Sequence, residues 1–157
     1  MLNYSIVLIA RNETRSLGRL AASLQGFIQR HGEIVLLDTG SNDETPELAR
    51  QLGFHVHEAP RRFDIILRKA QAAEINDRFN TPEDDPLVIY GQIVFDFSSA
   101  RQHAASLASQ DFVLHLDASD VVLAMDVDFL HHRIAAGKRA LTATSWDAAA
   151  EFDLRLD

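Results

Sequence analysis

The sequence predicts an α/β fold built on a mainly parallel sheet with helices on both faces. Short β-branched apolar runs at residues 6–10, 34–37 and 112–116 are bounded by polar corners, as buried strands are. Between them, apolar residues recur three and four apart, the period of a helix with one buried face. Two of the runs end in aspartate, Asp38 and Asp117, and open α/β sheets bind ligands at the carboxyl ends of their strands.

A chain of 157 residues can bury a real core and reads as a single domain over residues 1–157. Its 46% hydrophobic and 24% charged residues are ordinary for a soluble globular protein. The absence of cysteine excludes disulfides and thiolate metal sites and fits a reducing compartment. A net charge of −8 argues against a broad basic surface, and so against nucleic acid as a partner. No apolar run approaches the roughly 20 residues a bilayer requires. Residues 4–10 follow no basic stretch, so they read as a strand and not as a signal peptide. The cytoplasm is the expected site of action.

In chain order, residues 6–10 form the first strand and end in the polar corner Arg11-Asn12-Glu13-Thr14. Leu17, Leu20, Leu24, Phe27 and Ile28 mark one face of a helix over residues 16–30. Gly32 ends it, and residues 33–38 form the second strand. After Asp38, the turn residues Gly40, Ser41, Asn42 and Asp43 lead into a helix. Thr45 is its predicted cap and Pro46 its first helical residue. Gly53 closes that helix, and residues 54–57 alternate as a third strand. Right-handed crossovers make this βαβαβ unit parallel. Pro60-Arg61-Arg62 breaks the pattern. Residues 65–79 are expected to be helical, 80–86 a surface loop, and 87–90 and 93–95 strand-like around Gly91. Ser98 or Ser99 should cap a helix reaching residue 109, with Ala100, Ala104, Leu107 and Ala108 on its apolar side. Residues 112–116 read as a further buried strand, followed by a helix from Asp126 toward Ala136. Residues 139–144 and 152–157 complete the candidate strands.

Two carboxylates facing one crevice could serve a nucleotide, one through a base or ribose and one through a cation held with oxygen ligands. A dinucleotide-binding unit would also place an acid after its second strand. Its first turn needs closely spaced glycines, and the stretch from Ala10 to Ser16 has none. No phosphate-binding glycine loop ending in lysine is present either.

Four stretches occur in a telling order: Ala10-Arg11-Asn12-Glu13, Asp38-Thr39-Gly40-Ser41-Asn42-Asp43-Glu44-Thr45, Ser99-Ala100-Arg101-Gln102, and Leu116-Asp117-Ala118-Ser119-Asp120. Together they resemble the start of a family 2 glycosyltransferase of GT-A fold, in a shortened or divergent form, over most of residues 4–120. The resemblance implies a site for a nucleotide-diphosphate sugar, UDP- or GDP-linked. Ala10, Arg11, Asn12 and Glu13 would line the nucleotide pocket, with Asp38 on the base and Gly40 in the same turn. Arg101 would lie near the base or diphosphate. Asp117 would bind the ribose and, with Asp120, help hold Mn²⁺ or Mg²⁺, which neutralises the leaving diphosphate. The implied reaction is inverting transfer of the sugar to an acceptor the residues do not identify.

The chain departs from the pattern at three points. Ser119 stands in place of the second motif acid, and Gln102 in place of the usual asparagine. The sequence also stops soon after the fifth strand, ahead of the acceptor half that carries the family's base. A general base must reach the acceptor hydroxyl, and Asp147, Glu151, Asp153 and Asp157 match no motif for it. Residues 63–95 exceed the family's usual link and read as an insertion that covers the site or makes an oligomer contact. The alternative function is a non-catalytic relative that binds nucleotide or joins an assembly, as a homo-oligomer or with a partner subunit. The remaining candidates are better read as structural. His131 and His132 are neighbours on a helix and do not face one another. His55, His57 and His103 are expected to bond partners or solvent, Arg61 and Arg62 to form a solvated turn, and Trp146 to pack.

Overall fold

The computed structural model describes residues 4–110, 112–124 and 126–137. They fall into two compact units, Met1–Leu123 and Ala124–Asp157. The strand candidates at 139–144 and 152–157, Trp146 and the four tail acids lie outside the described residues.

In the first unit, β1 (Tyr4–Ala10), α1 (Thr14–His31), β2 (Gly32–Asp38), α2 (Thr45–Gln51) and β3 (His55–Glu58) form the expected βαβαβ succession. β1 pairs in parallel with β2, and β2 with β3. The chain then returns through β4 (Asp64–Ile66), α3 (Lys69–Arg78), β5 (Ile93–Phe95) and α4 (Phe97–Ser106) to β6 (Phe112–Asp117). β6 pairs in parallel with the free side of β1, giving the sheet order β3-β2-β1-β6.

Both faces of this sheet are covered. Val7, Val35 and Leu37 point one way and pack with Phe63, Ala100 and Ala104, so α4 covers that face. The alternating residues Ile6, Leu8, Ile34 and Leu36 are also buried. They point to the opposite side, where right-handed crossovers carry α1 and α2. Leu17, Leu20 and Leu24 of α1 are buried, as their spacing predicts. α2 closes as the sequence implies. Gly53 at φ +85° donates its N–H to the Arg50 carbonyl, and Phe54 donates to Ala49, each at 3.0 Å. This double bond pattern satisfies two carbonyls left open at the helix end.

Several expectations change. The 65–79 segment is not one helix: Asp64–Ile66 pairs antiparallel with Ile93–Phe95, and the helix begins only at Lys69. Ile65, Ile66 and Phe79 fit a helical period as well as a strand followed by a helix, so local pattern could not separate them. Residues 87–90 form no strand; the Asn76 side chain holds them instead through both backbone groups of Val88. Among the described residues β6 stands at the edge of the sheet, alternating between exposed and half-buried residues where full burial was expected. Thr45 is the first residue of α2 and not its cap. Glu44 holds the cap position without a side-chain bond to the helix, and Asp43 just before it accepts the Thr45 N–H at 3.1 Å. Likewise Asp96, not Ser98 or Ser99, caps α4, accepting the Ser99 N–H at 2.9 Å and its hydroxyl at 2.6 Å. These bonds hold the Asp96 carboxyl below the usual range. Each carboxylate oxygen of Asp96 takes one of these donors, as an acidic cap does at a helix start.

The amino ends of the strands are tied by Glu33, whose side chain is 12% exposed. It accepts the Ser5 hydroxyl at 2.7 Å and the Ser109 N–H at 2.6 Å, and His55 lies 3.2 Å away. Burial pushes the carboxyl up, but the two hydrogen bonds and the His55 charge outweigh it and hold it below the usual range. In the second unit, α5 (Val127–Ala135) begins where Asp126 accepts the Phe129 N–H at 2.8 Å. Arg133 stacks over the Phe129 ring at 5.9 Å.

Candidate functional site

The carboxyl ends of β2, β1 and β6 lie side by side, with Ala10 opposite Asp38 and Ile9 opposite Asp117. Neighbouring strands are ~4.8 Å apart, so the two aspartates flank β1 at roughly 10 Å from one another along the sheet. The chain winds outward from β1 to β3 and then returns to β6 on the other side. The winding therefore reverses between β1 and β6, and ligands of open α/β sheets bind in the crevice such a reversal leaves.

Two loops above β1 and β2 are bolted together. The Asn12 N–H donates to Ser41 Oγ at 2.9 Å, and the Asn42 N–H donates back to Asn12 Oδ1 at 2.7 Å. Glu13 N–H reaches Thr45 Oγ1 at 2.7 Å, and the Thr14 hydroxyl reaches Asp43 Oδ2 at 3.0 Å. Asn12 sits at φ +60°, a conformation its short polar side chain tolerates. Burial pushes the Asp43 carboxyl up, but the bonds from Thr45 and Thr14 prevail and hold it below the usual range.

Asp38 is 3% exposed. Its Oδ1 accepts the N–H groups of Gly40 and Ser41 at 2.9 and 3.0 Å, and its Oδ2 accepts the Ser41 hydroxyl. Three of about four acceptor positions on the carboxylate are thus spent on its own turn. Gly40, at φ +115°, lies where a Cβ would come within 3.4 Å of Pro60 Cα. The turn is therefore fixed from two sides.

On the other side of β1, Arg101 Nη2 donates to Asp117 Oδ1 at 2.9 Å, and the two side chains are 46% and 64% exposed. Asp120 closes the turn, accepting the Asp117 N–H on Oδ2 at 2.8 Å while its own N–H donates to the Asp117 carbonyl at 3.0 Å. Ala118 is buried beneath and Ser119 is exposed. His115 shares a strand face with Asp117; burial, and then the Arg101 charge, push its imidazole down. Arg62 Nη1 lies 3.1 Å from His103 Nε2. Arg11, Arg61 and Arg62 are exposed, and the Arg61 N–H bonds the Thr39 carbonyl. Four arginines (these three and Arg101) follow the carboxyl ends of the sheet, although the chain carries −8 overall.

The expected site residues thus form two groups. Ala10, Asn12, Glu13, Asp38 and Gly40 belong to one locked corner, with Arg11 exposed on it. Arg101, Asp117 and Asp120 form the second, across β1. The sequence placed Thr14 in a polar corner and gave Ser41, Asp43 and Thr45 turn and cap roles, but not the bonds by which they bolt the two loops together. Short polar side chains at such density in two loops were the available signal.

Among the described residues no group of three or more His, Cys, Asp or Glu side chains could hold a metal ion. The exposed carboxylate of Asp117, with Asp120 behind it, fits a divalent cation only alongside diphosphate oxygens and water, as Mg²⁺ is commonly held.

No family model matches the chain. It is 26% identical over 123 residues to a TPR repeat-containing protein of Synechococcus elongatus, covering 78% of this chain and 22% of that protein. Among solved structures it is similar to S. aureus TarS, at TM-score 0.51 and 18% identity, covering 86% of this chain and 20% of TarS. TarS 1-349 in complex with UDP gives TM-score 0.50 and 17% identity, covering 86% of this chain and 32% of that structure. The chain thus spans about a fifth of the length of the TPR protein and of TarS. The fold, a mainly parallel sheet flanked by helices, is the one GT-A glycosyltransferases share.

Proposed function

We propose that this chain is the nucleotide-sugar-binding part of a family 2 type glycosyltransferase that transfers the sugar with inversion. The observation that carries the reading is the Arg101–Asp117 pair at the winding reversal, across β1 from the locked Asn12–Asp38 corner. A UDP complex of a structure with this fold supports it.

In this reading Asn12, Glu13 and Gly40 shape the wall that receives the nucleotide, and Asp38 holds that wall by bonding its own turn. Asp38 keeps one acceptor position for the base. Arg101 supplies fixed positive charge where negative charge grows on the departing diphosphate, the kind of stabilisation that dominates such transfers. Arg11, Arg61 and Arg62 concentrate an anionic ligand at this end of the sheet. Asp117 takes the ribose and, with Asp120, one side of a Mn²⁺ or Mg²⁺ ion. When bound with the diphosphate, that ion acts as a Lewis acid on the leaving group.

A second reading, a non-catalytic relative that binds nucleotide or joins an assembly, draws on Asp120. Its carboxylate is occupied by the Asp117 N–H, and Ser119 offers no carboxylate beside it. Calorimetric titration with UDP and with GDP, each with and without Mn²⁺, separates the readings. Metal-dependent binding that Asp117→Ala abolishes is expected for the transferase. Metal-independent binding favours the second reading, and no binding of either nucleotide refutes the transferase and leaves only the assembly role.

A further inference from the structure

The segment between β3 and α4 carries an apolar surface that the nucleotide site does not use. Ile66 and Ile93 face one another across the β4–β5 pair and both are exposed. Phe97, also exposed, stands edge-on to Phe95 with centroids 4.8 Å apart. Asn76 holds the following loop against α3, its Nδ2 donating to the Val88 carbonyl at 2.8 Å and its Oδ1 accepting the Val88 N–H at 3.1 Å. That clamp keeps residues 87–90 by the last turn of α3, and Leu87, Ile89, Tyr90 and Phe79, the residue after that helix, are all exposed.

Phe79, Tyr90 and Phe97 are 65%, 72% and 61% exposed. At 150–250 Å² each, they leave roughly 300–500 Å² of aromatic surface in water. The exposed side chains of Ile66, Leu87, Ile89 and Ile93 add to this, toward the ~800 Å² one partner contributes to a standard interface. Typical monomers show no patch beyond about 300–600 Å².

Two features select a second copy of this chain as the occupant. β4 and β5 form a sheet of two strands, with no further strand on either edge among the described residues. Such a ribbon is marginal by itself, and two ribbons joined about a two-fold axis make a four-stranded antiparallel sheet. The charges of the segment are also self-complementary. Arg68 and Lys69 are exposed where α3 begins, and Glu83, Asp84 and Asp85 are exposed beyond its end. A two-fold axis sets the basic end of one copy against the acidic end of the other. We propose that residues 64–97 form an isologous interface between two copies of this chain.

Sedimentation equilibrium of the 157-residue chain over about 1–500 μM tests this, with circular dichroism confirming the fold of each variant. A monomer–dimer equilibrium is expected, at least about tenfold weaker in Tyr90→Asp and in Phe79→Asp, as for central interface aromatics. A charge pair covers the case in which those variants misfold. Arg68→Glu with Lys69→Glu in one chain, and Asp84→Lys with Asp85→Lys in another, should each dimerise less and recover association when mixed. A monomer across the whole range overturns the proposal. So does a dimer that none of these substitutions weakens, or a patch that binds another protein while the chain itself stays monomeric.

Discussion

At the scale of the residue, Asp38 shows how a motif acid serves structure before ligand. It is buried and accepts three bonds from its own turn. Asp38→Ala leaves those donors without partners and should cost about 2–4 kcal/mol. Asp38→Asn keeps an acceptor for the two N–H groups and should cost about 1 kcal/mol. Urea unfolding of the two variants checks the difference, and equal losses would mean the turn does not depend on these bonds. Glu33 gives a pH dependence of definite sign. Its carboxyl lies below the usual range when folded, so the unfolded chain takes up the proton first as pH falls. The stability it contributes is present above about pH 4–5 and lost on going down through the folded pKa. Glu33→Gln should therefore flatten the acid limb of a stability–pH curve. An unchanged limb would assign that role to other carboxylates.

At the scale of the element, two glycines separate strain from collision. Gly53 ends α2 at φ +85° with nothing within 4 Å of a Cβ placed there. Gly53→Ala therefore meets only the left-handed penalty, about 1–2 kcal/mol. Gly32 has an extended backbone, but a Cβ built on it would overlap the carbonyl oxygen of Tyr4 on the neighbouring strand. Gly32→Ala must push β1 and β2 apart where they pair, and should cost more than Gly53→Ala. Thermal unfolding ranks the two variants; the reverse order would mean the strand start yields freely. The elements also show where local pattern sufficed. Leu17, Leu20 and Leu24 announced a helix face and are buried. The 64–66 strand was hidden because its partner, 93–95, lies 27 residues away.

At the scale of the molecule, the distribution of charge matters more than its sum. A net −8 should repel an anionic nucleotide, yet four exposed arginines, Arg11, Arg61, Arg62 and Arg101, follow the carboxyl ends of the strands. If those local charges govern binding, UDP affinity falls as NaCl rises from about 0.02 to 0.5 M, because salt screens attraction over a Debye length. If the overall charge governs, affinity rises with salt. Backbone amide shifts on adding UDP should likewise concentrate at residues 10–14, 38–45, 101 and 117–120. A response confined to residues 64–97 would move the site elsewhere.

The sequence by itself determined the parallel βαβαβ half, the helix faces and the two aspartates at strand ends. Those features follow from local periodicity, turn chemistry and chain handedness, which neighbouring residues specify. Its four motif stretches also pointed to the GT-A fold that the structure shares with TarS. Only the tertiary structure decided that β6 pairs with β1, that Arg101 meets Asp117, and that Asp38 turns into its own loop. It also decided that Glu33 clasps Ser109 from 76 residues away. Each of these joins residues distant in the chain or chooses among several donors, and a carboxylate's partner is set by which donors the fold brings within reach.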